Sequence, residues 1–86
     1  MSRVFKYEVP VADSFHIDMP ANAQVLTVQI QKEKVCIWAL VEDGNPLTRR
    51  AFRMAGTGHL IDKAWQLCYF QLLSGDLVFH VFEVKD

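Results

Sequence analysis

Few residues in this sequence announce chemistry. It has two cysteines, Cys36 and Cys68, too far apart for a CxxC or zinc-finger pattern. Each sits in an apolar run, where a buried free thiol is the common outcome, and this fits a reduced, cytoplasmic protein rather than a disulfide scaffold. No sign of charge dominates: nine basic and ten acidic residues leave a formal net charge of −1. General nucleic-acid binding is therefore not expected, since backbone readers carry a clear positive excess. The longest uninterrupted apolar run, Val35 to Val41, falls far short of the roughly 20 residues that span a bilayer. The opening Met-Ser-Arg-Val-Phe-Lys-Tyr-Glu lacks the apolar stretch of a signal peptide. Neither export nor membrane insertion is expected, and the cytoplasm is the natural compartment.

What is present is period two. Phe5, Tyr7 and Val9 alternate with Lys6 and Glu8 up to Pro10, and Phe15, Ile17 and Met19 alternate with His16 and Asp18 up to Pro20. Pro20 to Ala23 reads as a turn. Leu26, Val28 and Ile30 then alternate with Thr27, Gln29 and Gln31, and a tight turn at Lys32-Glu33 leads into Val35–Val41, apolar on both faces like a central strand. Glu42 to Pro46 is a loop. In the next segment Thr48, Arg50, Phe52 and Met54 share one side and Arg49, Ala51 and Arg53 the other. Residues 60–67 fit a short helix or a turn, with Ile61, Ala64, Trp65 and Cys68 at helical spacing. A hairpin closes the chain, turning at Ser74-Gly75-Asp76. The fold class is thus mostly β: an antiparallel meander of six to seven short strands forming a small sandwich or barrel. Residues 1–86 make a single β-rich domain.

A chain of 86 residues buries only about 60–65% of the surface it exposes when unfolded. Yet 51% of this one is apolar, more than one small core conveniently hides. Either something covers the second face of a sheet or the chain self-associates, and a homo-oligomer is the expectation. Its interface is placed on the C-terminal hairpin, at Tyr69, Leu77, Phe79, Val81 and Phe82, because aromatic-rich sheet faces favour subunit contacts.

Candidate sites are few. His16, His59 and His80 are scattered, so no metal site is expected, and His80 reads as a partly buried histidine with one hydrogen-bond partner. Ser14 and Ser74 lack the strand–turn–helix context of a nucleophile, and both thiols sit where burial raises the pKa. Asp43, Asp62 and Asp76 read as turn residues, Glu8 and Glu83 as solvated strand positions. No catalytic residue and no cofactor is expected. One polar cluster stands out, Arg49 to His59, RRAFRMAGTGH. Arg49 and Arg53 flank small Ala51, and Gly56, Thr57, Gly58 and His59 follow. Guanidinium forks suit phosphate or carboxylate oxygens, and a glycine-rich turn can aim backbone N–H groups at the same place. The plain alternative is a solvated arginine face beside a loop that needs φ > 0.

The order Lys6-Tyr7-Glu8-Val9-Pro10, Met19-Pro20-Ala21-Asn22-Ala23, Val28-Gln29-Ile30-Gln31, Cys36 to Val41, Gly56-Thr57-Gly58-His59 and Leu77 to Phe82 resembles a family of short bacteriophage and prophage proteins of unknown function. The run Trp65 to Phe70 replaces the smaller, polar linker of those proteins. The resemblance implies a non-enzymatic accessory protein that binds a host or phage protein, for instance to inhibit host defence. The second expectation is a protein that binds or sequesters a nucleotide or other small anion with the 49–59 segment. An enzyme of unrecognised type is the third.

Overall fold

The computed structural model describes residues 1–66 and 68–84, with Gln66, Cys68, Tyr69 and Ser74 described as backbone only. It has seven strands: β1 (Ser2–Val9), β2 (Ser14–Pro20), β3 (Gln24–Gln31), β4 (Lys34–Glu42), β5 (Leu47–Gly56), β6 (Cys68–Ser74) and β7 (Leu77–Glu83). A short 3₁₀ turn, Lys63–Gln66, precedes β6 and occupies the stretch expected to be a helix or turn. The strands form two antiparallel sheets that do not close into a barrel: a three-stranded sheet ordered β1-β4-β3 and a four-stranded sheet ordered β2-β5-β7-β6. β2 leaves its chain neighbours to become an edge strand of the second sheet. The shortest dimension of the molecule, 16 Å, is that of two stacked layers.

Alternation decides which side chains meet between the layers. Val35, Ile37, Ala39 and Val41 of β4 face Phe15, Ile17 and Met19 of β2, Phe52 and Met54 of β5, Leu72 of β6 and Val81 of β7. Phe15 lies directly opposite Phe52 across the β2–β5 pair, and their rings stack 5.4 Å apart. Phe5, Tyr7, Val9, Val25, Phe70 and Phe79 close the margins. Cys36 is a buried free thiol on the opposite side of β4; the Cys68 side chain lies outside the described atoms.

The turns follow local chemistry. Gln31 pairs with Lys34 across a two-residue loop in which both Lys32 and Glu33 take positive φ, 51° and 66°. That is the primed turn whose twist matches a hairpin, made here without the usual asparagine and glycine. At the last hairpin Gly75 alone takes the positive φ, at 58°. Asn22 does so at 67° in the turn closed by the Ala23 N–H donating to the Pro20 carbonyl at 3.1 Å.

Two expectations fail in instructive ways. In β3 the register slips between Val25 and Thr27, because an extra residue is accommodated on this strand. Val25 therefore takes the inward position opposite Ala39, and Leu26, expected inside with Val28 and Ile30, is left 41% exposed. Glu83, expected to be solvated, is 8% exposed. Alternation puts it between the sheets beside Arg50, whose Nε and Nη2 donate to its two carboxylate oxygens at 2.5 and 2.7 Å. Nη1 of the same guanidinium donates to the Ala23 carbonyl. An apolar environment tolerates this charge pair because it is bidentate and further hydrogen-bonded.

Candidate functional site

β5 presents three arginines on two faces. Arg50 points inward, as above, whereas Arg49 and Arg53 share the outward face with Ala51 between them, as the alternation requires. Four residues of extended chain set the Cα atoms of the outer pair about 13 Å apart, and their guanidinium groups meet different neighbours. Arg49 pairs at 3.8 Å with Asp18 of the neighbouring edge strand, and both are exposed. Arg53 lies opposite Ser14 on one side and Phe82 on the other. Its guanidinium sits over the Trp65 ring, 5.7 Å from the centroid, a cation–π distance.

Beyond β5 the chain folds back. The Gly56 N–H donates to His59 Nδ1 at 3.2 Å, so Nε2 carries the ring proton of a neutral His59. The ring lies so close to Gly56 that a Cβ there would meet it at 3.4 Å. Gly58 takes φ 90°, a conformation in which a side chain is strained. Thr57 Oγ1 stands 3.1 Å from His80 Nε2, giving the half-buried His80 the partner expected of it. The Asp62 carboxylate then accepts the Ala64 N–H at 2.9 Å and starts the 3₁₀ turn. That turn lays Trp65 on the outer side of β7, 6.5 Å from the Phe82 ring.

The six residues singled out from the sequence therefore do not act as one set. Arg53 and His59 line a single cleft of about 340 Å³ with Asp13, Ser14, Leu60 and Trp65. Gly56 and Thr57, again with His59, border a neighbouring depression beside Leu77 and Phe79. Arg49 borders neither. The sequence reading missed Ser14 as a member of the cleft, because only the β2–β5 register brings it beside Arg53. It also missed Trp65, whose place follows from a turn that periodicity does not define.

Over residues 1–86 the chain matches the family described as a domain of unknown function, DUF7352. It belongs to that family. No curated protein and no solved structure matches it. No described helix is long and apolar enough to cross a membrane. For a DUF7352 chain the geometry itself is thus the guide to function.

The hairpin residues expected to form an interface are dispersed. Val81 is in the core at 1% exposure and Phe82 is buried under Trp65. Phe79 packs against the core margin, and Leu77 is exposed. Tyr69 lies in β6, opposite Phe82, with its side chain outside the described atoms. The hairpin also exposes Leu73, and further apolar surface emerges elsewhere. On the outer face of the three-stranded sheet Val4, Leu40 and Trp38 adjoin through the β1–β4 register, with Val4 57% exposed. Leu26 of β3 is also exposed. Lys6, hydrogen-bonded to Gln31 at 2.7 Å, and the Glu8–Lys34 pair bound this patch at one end.

Proposed function

We propose that this chain is a non-enzymatic phage accessory protein that works in the host cytoplasm by binding a host or phage protein. The binding surface in this reading is the outer face of the three-stranded sheet. The observation that carries it is the adjoining apolar surface there: Val4 is 57% and Leu40 38% exposed, with half-buried Trp38 beside them. A small domain that exposes adjoining apolar side chains on a flat sheet incurs a solubility cost, which a partner removes. The phage resemblance of the KYEVP, MPANA, CIWALV and GTGH segments supports an accessory task such as inhibition of host defence. When the partner is absent, the same face mediates self-association.

The test is native mass spectrometry and light scattering on wild-type protein and on Val4→Glu/Leu40→Glu, both purified from host cells. Both substitutions sit on exposed positions, so the circular dichroism spectrum and melting should be nearly unchanged. Wild type should run as a stoichiometric complex or a homo-oligomer, and the variant as a monomer of 9.9 kDa. A wild-type protein that remains monomeric and unpartnered at tens of micromolar, or a variant that assembles equally well, sinks the reading.

A further inference from the structure

The chain has four arginines, and three of them are matched with carboxylates: Arg3 with Asp43, Arg49 with Asp18 and Arg50 with Glu83. Arg53 differs. Among the described residues no carboxylate lies within ion-pair distance of it, although it is half-buried. Its guanidinium is held over an indole, which positions the cation and leaves its N–H edge available to an acceptor. Two more donors line the same cleft. The Ser14 hydroxyl stands on the next strand, directly opposite Arg53 in the register. His59, with Nδ1 committed to the Gly56 N–H, has Nε2–H left to donate. A fork, a hydroxyl and an imidazole N–H form a donor set for an oxyanion.

Asp13 sits on the same rim and sets a limit on what enters. Its carboxylate repels a bare, multiply charged anion and attracts a cationic or hydrogen-bonding group. A volume of about 340 Å³ lies at the small end of ligand sites. We propose that this cleft binds a small molecule through a carboxylate or phosphate oxyanion held by Arg53, His59 and Ser14, with an adjacent amino or hydroxyl group directed at Asp13. The site lies on the four-stranded sheet, away from the apolar face assigned to protein contact, so it stands or falls separately.

Trp65 provides the readout. The protein has two tryptophans, so Trp38→Phe leaves Trp65 as the sole fluorophore. Its emission is titrated with four probes: acetate, glycine, inorganic phosphate and phosphoethanolamine. The expected result is a saturable change, with the amine-bearing probe of the effective oxyanion class binding several-fold tighter than its simple counterpart. Whether the glycine–acetate or the phosphoethanolamine–phosphate arm responds identifies the oxyanion. Arg53→Gln and His59→Ala should each weaken binding about tenfold or more, Asp13→Asn should erase the preference for the amine, and Arg49→Ala should change nothing. The absence of a saturable response to any probe up to tens of millimolar overturns the site. So does equal binding by a folded Arg53→Gln protein. The two arginine variants, one in the cleft and one outside it, separate loss of the site from a general loss of positive charge.

Discussion

Arg50 and Glu83 are the most heavily constrained polar pair described in the molecule. Replacing Arg50 by methionine leaves a carboxylate enclosed between the sheets without a counterion. That should cost about 3 kcal/mol, and the double change Arg50→Met/Glu83→Leu should recover most of it. Urea unfolding of the two variants decides the point. Tyr7 lies at the edge of the same layer. Burial pushes its phenol above the usual range, partly offset by the Arg50 guanidinium. The folded chain then keeps this proton to higher pH than the unfolded chain does. Its contribution is fully present below the unfolded pKa of about 10 and is lost as pH rises through the folded value. Stability measured from pH 9 to 11 should fall, with a shallower slope in Tyr7→Phe.

At the scale of strands, β3 offers a test of how far alternation can be trusted. A strict period of two ranks Leu26 and Val28 as equal core residues; the bulge makes them unequal. Val28→Ala should cost about 2 kcal/mol, whereas Leu26→Thr should change stability by no more than about 0.5 kcal/mol. Thermal melts of both proteins check this. The example also shows what was legible in advance. The strands and the Lys32-Glu33 hairpin follow from alternation and turn residues, which are properties of neighbouring positions; the choice of two open sheets over a barrel does not. An inserted residue in one strand is a property of a pair of strands, so β3 misled. Glu83 was misjudged for a related reason. It sat in phase with inward Val81, but its pairing with Arg50 across the sheet had to be seen before the charge became acceptable there. The cleft was half-legible. Arg53 and His59 stood out by type, while Ser14 and Trp65 reach them through register and a turn.

At the scale of the whole molecule, the 3₁₀ turn lays Trp65 over Phe82 on the outer face of the four-stranded sheet. Trp65→Ser should uncover Phe82 and Ala55, which are 8% and 4% exposed in the intact fold. The variant should bind the dye ANS more strongly while retaining the wild-type far-ultraviolet spectrum. Unchanged dye binding would mean that Trp65 is not the cover of that face.

The placement of β2 also governs how the chain can come apart and reassemble. The first 42 residues contain every strand of one sheet and, in β2, one strand of the other. A cut in the loop between β4 and β5 therefore does not yield two independent halves. The C-terminal piece is left with an unpaired edge at β5 that only the N-terminal piece can complete, through the ladder from Ser14–Arg53 to Pro20–Leu47. β2 thus acts as a latch between fragments, the arrangement used in split reporters. In the intact chain, this closure joins segments distant in sequence.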